Sequence, residues 1–199
     1  MHKLCVTAHT GALRTKPNSI ASAWAGLAWP GVGCIEVDVR FLPCGTPALG
    51  HDRVNAGSPK LEAVFELMRA GTRSVNLDMK EKTHVRQLAK LVDTYGLQGR
   101  VFMTGLREAD CAAWRHCGLP YYLNGTDVRA ATELGAIGVN VHYRTCGESL
   151  VRQARRAGLL VSVYTIDRRR AMRNMWRLGV DNITTRRPDL LTEIISHAI

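Results

Sequence analysis

The sequence lacks a long apolar run, and this absence excludes a membrane-spanning helix. No stretch approaches the roughly 20 apolar residues that a helix needs to cross a bilayer, although 46% of the residues are hydrophobic. The opening MHKLCVTAH is too short in its apolar part for a secretion signal. We therefore expect a cytoplasmic protein, and the hydrophobic fraction predicts a folded chain with a sizeable core.

Cysteine motifs for metal or redox chemistry are also missing. The chain has 6 cysteines, but none forms a CxxC pair and none has a histidine at zinc-finger spacing. Because cytosolic thiols are normally kept reduced, we expect free, mostly packed cysteines rather than a disulfide framework. Zinc-finger and disulfide-scaffold classes are thereby excluded.

Acidic residues are scarce relative to basic ones, with 17 Asp and Glu against 27 Lys and Arg, a formal net charge of +10. This excess favours anionic partners, among them nucleic acid, lipid headgroups and phosphorylated small molecules. Only 6% of the residues are aromatic, and Trp176 alone accompanies the arginine-rich tract, which disfavours stacking on nucleic-acid bases. We predict no nucleic-acid partner; the tract is either a solvated helix face or a peripheral contact with anionic lipid. The tract comprises Arg152, Arg155, Arg156, Arg168, Arg169, Arg170, Arg173 and Arg177.

Short strand patterns alternate with helical patterns eight times along the chain. The predicted strands are 4–9, 34–41, 75–79, 101–105, 120–124, 138–143, 159–166 and 182–185. The predicted helices are 18–29, 61–70, 83–96, 107–118, 126–135, 148–158, 168–179 and 188–198. Eight such pairs favour a single closed (β/α)₈ TIM barrel over residues 1–199 rather than an open sheet. A further short return strand is predicted within 43–51.

The stretch CIEVDVRF places acids inside an otherwise apolar strand. Because side chains alternate faces along a strand, Glu36, Asp38 and Arg40 share one side. Asn76, Asp78 and Lys80 share one side of the next parallel strand. Neighbouring strands lie about 4.8 Å apart, so the three carboxylates are expected to converge at the barrel mouth.

Converging carboxylates repel one another unless a proton or a cation is present. A divalent cation held by Glu36, Asp38 and Asp78 is one interpretation, and all-oxygen ligands favour Mg²⁺ or Ca²⁺. The alternative is a set of internal ion pairs between these acids and Arg40 or Lys80. The spacing leaves both interpretations open.

Other strand ends are polar as well, which is typical of the catalytic face of a barrel. His9 ends the first strand and Asn124 the fifth. His142 ends the sixth and is expected to line the pocket, while Tyr164 ends the seventh. Thr185 and Arg186 end the eighth.

Several motifs together make the chain resemble the glycerophosphodiester phosphodiesterases, almost from end to end. The Glu-x-Asp pair, the His-Asp about thirteen positions later and the closing GVD-x-IT are specific in combination. The matching pieces are TAHTG (7–11), PNS (17–19), GCIEVDVRFLPCGTPALGHD (33–52), PKLEAVFEL (59–67), VNLDMK (75–80), VSVYTID (161–167) and GVDNITTRRPDLL (179–191).

The resemblance implies roles for individual residues. His9 and His51 correspond to the catalytic pair, and Lys80 to a residue that contacts the substrate phosphate. Glu36, Asp38 and Asp78 correspond to the metal ligands. Tyr164 stands where the family often has Trp and is expected to form a wall for the substrate alcohol.

Three departures from the family pattern bear on substrate binding. Thr10 stands where the family has an arginine, and Arg40 or Arg14 is the candidate replacement for that phosphate-binding cation. Asp78 stands where the family usually has Glu. The related sphingomyelinase D barrels resemble this chain in using Asp at that point. The insert after His-Asp is reduced to 53–58, so the alcohol preference is not indicated.

The resemblance implies metal-dependent hydrolysis of glycerophosphodiesters or lysophospholipids to glycerol phosphate and an alcohol. One histidine would act as general base and the other as general acid. The alternative is a catalytically weak or inactive barrel that binds phosphorylated headgroups, suggested by Thr10 and the short insert. Nothing in the sequence indicates an oligomeric state.

Overall fold

A computed structural model describes residues 4–114 and 117–197 and shows a barrel of parallel strands surrounded by helices. The strands are β1 (Cys5–Ala8), β2 (Cys34–Phe41), β3 (Pro47–Leu49), β4 (Ser74–Met79), β5 (Val101–Leu106), β6 (Tyr121–Asn124), β7 (Gly138–His142), β8 (Leu160–Tyr164) and β9 (Asn182–Thr185). The helices are α1 (Ile20–Ala28), α2 (Leu61–Met68), α3 (Val85–Thr94), α4 (Glu108–Trp114), α5 (Val128–Glu133), α6 (Glu148–Arg156), α7 (Arg169–Leu178) and α8 (Pro188–Ser196). Short 3₁₀ turns follow β1 and β7.

Strand pairing closes the barrel. The order β1-β9-β8-β7-β6-β5-β4-β2 returns to β1 through a parallel β1–β2 pairing, in which Thr7 lies opposite Cys34. β3 is antiparallel and pairs with the end of β2, where Val39 lies opposite Leu49. The predicted (β/α)₈ fold is confirmed, and β3 is the predicted return strand. The single domain predicted over 1–199 stays a prediction. The chain ends and residues 115 and 116 of the fourth predicted helix lie outside the described residues.

Alternation along the strands sorts the side chains between two environments. Ile35, Val37 and Val39 are at most 2% exposed and belong to the apolar core packed under the helices. Polar side chains instead fill the barrel interior: Thr7 donates to Asn182 Oδ1 at 2.6 Å, and Asn182 donates to Ser162 at 2.9 Å. Buried polar groups are stable only when hydrogen-bonded, and this network satisfies that condition.

The first helix begins later than its sequence pattern predicts. Helix α1 starts at Ile20, and Ser19 is its N-cap because its hydroxyl accepts the Ser22 N–H at 3.1 Å. Asn18 adopts a left-handed conformation with φ 52° and contributes to the barrel mouth instead. Ser19 is therefore the cap, and Asn18, which the predicted helix 18–29 included, lies outside the helix.

The arginine-rich tract lies on the outside of the barrel. Four of its members, Arg152, Arg155, Arg156 and Arg177, line a groove of about 640 Å³ between α6 and α7. The lipid contact predicted for this tract stays a prediction. In the described part of the chain, no helix combines the length and the apolar character that crossing a bilayer requires.

Candidate active site

A polar cavity of about 510 Å³ opens at the carboxyl ends of the strands, where barrels carry their functional sites. Every parallel strand except β1 ends in or contributes directly to its wall, and His9 follows β1. The lining residues are His9, Glu36, Asn76, Asp78, Met79, Lys80, Lys82, Thr104, Gly105, Arg107, Asp110, Asn124, Asn140, Tyr164, Thr165 and Thr184.

Strand register brings the predicted acids together. Asp38 of β2 lies directly opposite Asp78 of β4, and Glu36 precedes Asp38 on the same face. One carboxylate oxygen from each of Glu36, Asp38 and Asp78 lies within 4.8 Å of the others. Glu36 and Asp38 are only 4% and 3% exposed, so water cannot disperse their charge.

The acids repel one another strongly enough to affect protonation. Burial, followed by the charges of Asp38 and Asp78, raises the pKa of Glu36 well above its usual value. A raised carboxyl pKa means that the folded chain holds a full set of charges here only at a cost in free energy. The cluster therefore has an unmet demand for positive charge.

Lys80 meets part of that demand. Its ammonium lies 3.0 Å from Asp38 Oδ1 and 2.6 Å from Asp78 Oδ2. Burial by itself would lower the pKa of Lys80, but the carboxylates of Asp78 and Asp38 outweigh it and raise that pKa. If all three carboxylates are ionised, one ammonium leaves two negative charges unbalanced. A divalent cation would balance them.

Oxygen donors at this spacing fit a hard divalent cation. Each of Glu36, Asp38 and Asp78 offers a ligand atom, and no cysteine or histidine belongs to the cluster. All-carboxylate sites suit Mg²⁺ or Ca²⁺ better than zinc, which usually recruits nitrogen or sulfur. The family's cation is therefore compatible with the residues present.

Arg40 does not line the cavity. Its guanidinium donates to Glu81 Oε1 at 2.8 Å and to the His51 carbonyl oxygen at 2.8 Å. Of the ion pairs that the sequence suggested as an alternative, only those made by Lys80 form, because Glu81 attracts Arg40. Arg40 thus holds the 50–60 segment against the end of β2. Arg14, the other candidate for the missing phosphate cation, is exposed and also lies outside the lining.

Thr10 and Asn18 orient the acids from behind. The Thr10 N–H donates to Glu36 Oε2 at 2.9 Å. The Asn18 amide donates to Asp38 Oδ2 at 2.7 Å and accepts the Asp38 N–H at 3.2 Å. These contacts fix the carboxylates in place. Thr10 belongs to the TAHTG motif and Asn18 to the PNS motif, but neither motif by itself indicates these hydrogen bonds.

His9 presents one ring nitrogen to the cluster. Its Nδ1 lies 2.6 Å from the Thr10 carbonyl oxygen, which can only accept, so Nδ1 carries the proton. Nε2 then faces Glu36 Oε2 at 3.8 Å. Burial lowers the pKa of His9, which favours the neutral imidazole.

His51 lies on the segment after β3 and is not part of the cavity wall. Its side chain is 64% exposed, and its Nδ1 lies 2.7 Å from Asp52 Oδ1. A carboxylate at Nδ1 leaves Nε2 as the nitrogen available for proton transfer, as in other carboxylate-oriented histidines. The structure therefore orients both histidines alike but places only His9 beside the acids.

The two remaining predicted substrate contacts differ in position. Tyr164 lines the cavity, and its pKa is raised by burial and then by Asp78. His142 is exposed and outside the lining, with its ring 6.2 Å from that of Tyr164. Its strand ends at the mouth, but the side chain turns outward, where it accepts the Arg144 N–H at 3.4 Å.

Nine lining residues escaped the sequence analysis, among them Lys82, Arg107, Asp110 and Asn140. Lys82 and Arg107 lie in the segments after β4 and β5, which have no strand periodicity to reveal their direction, and Asp110 lies in the first turn of α4. Asn140 lies on β7 facing inward, and strand alternation from His142 could have identified it.

Gly105 allows Asp78 to lie against β5. Its φ is +81°, and a side chain there would collide with the Asp78 carboxylate and lie 2.7 Å from the Met79 carbonyl oxygen. The β5–β6 register shifts between Met103 and Leu106, so Gly105 sits in an irregular stretch of strand next to the site.

Gly105→Ala is expected to lower the free energy of unfolding by about 2–5 kcal/mol, combining left-handed strain with overpacking. Chemical denaturation measures this change. Gly99→Ala is the matched control, since Gly99 has φ +75° but nothing within 4 Å of a new Cβ. Equal destabilisation of the two variants would show that the Asp78 contact contributes nothing.

Comparison with curated proteins found no match. Solved structures that share the fold include the following three phosphodiesterases. A glycerophosphodiester phosphodiesterase from Agrobacterium tumefaciens is 21% identical with TM-score 0.78, the match covering 95% of this chain and 99% of that one. One from Parabacteroides distasonis is 20% identical with TM-score 0.82, covering 98% of each chain. An Oleispira antarctica phosphodiesterase in complex with the product sn-glycerol-3-phosphate is 16% identical with TM-score 0.84, covering 96% of each.

The family comparison concerns the larger part of the barrel. The model of the glycerophosphoryl diester phosphodiesterase family matches residues 73–190, which include Asp78 and Lys80 and span more than half of the chain. His9, Glu36, Asp38 and His51 lie before the matched segment. The chain therefore belongs to the glycerophosphoryl diester phosphodiesterase family, whose members are enzymes.

Proposed function

We propose that this protein hydrolyses glycerophosphodiesters, or lysophospholipids, to glycerol phosphate and an alcohol in a reaction that depends on Mg²⁺ or Ca²⁺. The observation that carries the proposal is the convergence of Glu36, Asp38 and Asp78, with His9 and Lys80 beside them in the cavity that Glu36 and Asp78 line. The product sn-glycerol-3-phosphate in the Oleispira antarctica phosphodiesterase supports a small phosphodiester as the substrate.

Charge neutralisation is the first requirement of this chemistry, because the substrate phosphate is anionic. Glu36, Asp38 and Asp78 would hold the cation, which when bound supplies charge neutralisation and polarisation of the phosphate. Lys80 already lies between Asp38 and Asp78. The Lys80 ammonium would donate to a phosphate oxygen of the substrate, beside the cation that balances the acids.

Proton transfer is the second requirement. The attacking oxygen must lose a proton and the leaving oxygen must gain one, and each such role contributes about 10²–10⁴-fold. His9 Nε2 faces the acid cluster and serves one of these roles. We assign the other to His51, whose orientation by Asp52 suits it for proton transfer and whose neighbour Gly50 donates its N–H to the Asp38 carbonyl oxygen at 3.1 Å.

The direct test is hydrolysis of glycerophosphoglycerol and glycerophosphocholine, with glycerol phosphate measured as product. We expect turnover with Mg²⁺ or Ca²⁺, loss of turnover with EDTA and recovery when the ion is restored. Glu133→Gln should keep the turnover of the wild type, since this exposed acid of α5 is not among the cavity-lining residues. Turnover that ignores the chelator would contradict the metal dependence.

Binding measurements separate the enzyme from the inactive barrel that the sequence also suggested. Calorimetric binding of glycerophosphodiesters with no product formed over hours would favour a headgroup-binding protein. Product formation by the wild-type chain that disappears in His9→Ala would reject that alternative.

A further inference from the structure

The cavity extends beyond the acids into a part that the proposed chemistry does not use. We call this part the distal lobe, defined by Lys82, Gly105, Arg107 and Asp110, which follow or end β4 and β5. In barrel order, His9 lies on one side of the acid-bearing strands and the lobe lies on the other. A phosphate held at the acids would therefore direct one of its ester groups into the distal lobe.

The ammonium of Lys82 is fixed within the lobe. It donates to the Met79 carbonyl oxygen at 2.6 Å and to the Gly105 carbonyl oxygen, while Asp110 Oδ2 lies 3.9 Å away. These two backbone contacts use two of its three N–H donors. The charge of Lys82 thus stays at the cavity wall whether or not a ligand is present.

The guanidinium of Arg107 is available to a ligand. Within residues 4–114 and 117–197 it has no acceptor, although the side chain lines the cavity. Asp110 is partly committed elsewhere, since its Oδ2 accepts the Arg107 backbone N–H at 2.8 Å at the start of α4. The lobe therefore carries two cations against one anion.

The lobe is unsuited to a cationic group. Quaternary ammonium ligands are usually recognised by several aromatic faces, but among the described residues the cavity lining has only two aromatic side chains, those of Tyr164 and His9. Lys82 and Arg107 would also repel a positive charge. Asn124 and Asn140 offer neutral hydrogen-bonding groups along the neighbouring wall, as a polyol requires.

We propose that the distal lobe holds the alcohol half of the diester and selects alcohols that themselves carry negative charge, such as a second phosphate. This inference rests on the proposed function and names its substrate class. Lys82 and Arg107 are the specificity-determining residues, and a charge-assisted, potentially bidentate contact from Arg107 to the second phosphate is the expected interaction.

The test compares three diesters with the same glycerophosphate half and different alcohols. They are bis(glycerophospho)glycerol with an anionic alcohol, glycerophosphoglycerol with a neutral one and glycerophosphocholine with a cationic one. We expect kcat/KM for the anionic diester to exceed that for the cationic one by about tenfold or more, as charged contacts of this kind imply. Arg107→Met should lower this ratio about tenfold.

Variants that remove or keep one positive charge test whether charge causes the difference in kcat/KM between the anionic and cationic diesters. Lys82→Met should also lower the ratio, whereas Lys82→Arg, which keeps the charge, should retain most of it. Arg86→Met, at an exposed position of α3, removes one charge outside the cavity and should leave the ratio unchanged. Equal or faster hydrolysis of glycerophosphocholine, or a ratio that survives loss of both cations, would overturn the proposal.

Failure of hydrolysis is distinguishable from failure of selectivity. If no diester is turned over, the proposed function fails, and the same three compounds can then be titrated by calorimetry as unreacted ligands. Tighter binding of the anionic diester, weakened in Arg107→Met, would still support the proposed selectivity of the distal lobe. Equal binding of the three compounds, or no binding of the anionic one, would reject it.

Discussion

Replacing His9 by alanine is expected to lower kcat by about 10²–10⁴-fold with little change in KM. The reason is that His9 Nε2 is the imidazole nitrogen closest to the acid cluster, and the Thr10 carbonyl oxygen holds the ring in that orientation. Loss of proton transfer affects the reaction step rather than substrate binding. Steady-state kinetics with saturating metal ion measure both parameters.

Chemical rescue distinguishes proton transfer from a structural role. Added imidazole should restore part of the activity of His9→Ala, because it can occupy the space left by the ring. His197→Ala is the matched control, since His197 is exposed after α8 and is not among the cavity-lining residues. A loss smaller than about tenfold, or a loss that imidazole does not relieve, would contradict general acid–base catalysis by His9.

Glu36→Gln is expected to reduce kcat/KM by about 10³-fold, because a metal site supplies several kcal/mol to the reaction and each 1.36 kcal/mol is tenfold. Glutamine keeps the size of the side chain and can still accept the Thr10 N–H. The loss should therefore reflect the missing charge rather than a collapsed site. Kinetics over a range of Mg²⁺ and Ca²⁺ concentrations measure it.

Thermal unfolding gives an independent measure of the same site. A divalent ion at about 100 times its Kd stabilises a protein by about 2.7 kcal/mol, which raises Tm by roughly 5–10 °C at this chain length. This rise should be present in the wild type and absent in Glu36→Gln. A full metal-induced rise in the variant would remove Glu36 from the ligand set.

In metal-free protein, Glu36→Gln is expected to stabilise the fold rather than to weaken it. Because the folded-state pKa of Glu36 is raised above its ordinary value of 4.5, the folded chain binds more protons than the unfolded one. Ionised Glu36 therefore destabilises the fold progressively as pH rises above that ordinary value. Glu36→Gln should be more stable than the wild type at pH 7 in EDTA, and the difference should vanish below about pH 4. Lower stability of the variant in EDTA at pH 7 would contradict this account.

Periodic features of the sequence were sufficient to predict the barrel and its acid cluster. Alternation along CIEVDVRF puts Glu36 and Asp38 on the face opposite Val37, and the same rule applies to Asp78. These predictions succeed because the direction of a strand side chain is fixed by its own backbone. Parallel neighbours then bring like ends of strands to one place, whatever the loops do.

Side-chain partners outside the strands depended on the tertiary structure. Arg40 obeys strand alternation, yet Glu81, the residue after Lys80, draws its guanidinium away from the cavity. Asn18 was included in the predicted first helix but contacts Asp38, because the segment between β1 and α1 folds over the barrel mouth. Neither contact has a periodic signal, since each joins a loop to an element distant in the sequence.

The sequence by itself determined the fold, the acid cluster and the place of His9 beside it, because local backbone geometry and strand register fix all three. Only the tertiary structure decided that His51 and His142 lie outside the cavity lining. It alone also brought Lys82, Arg107 and Asp110 together in the distal lobe. Loop conformation depends on contacts with whatever surface the loop meets, and that surface exists only after the barrel has closed.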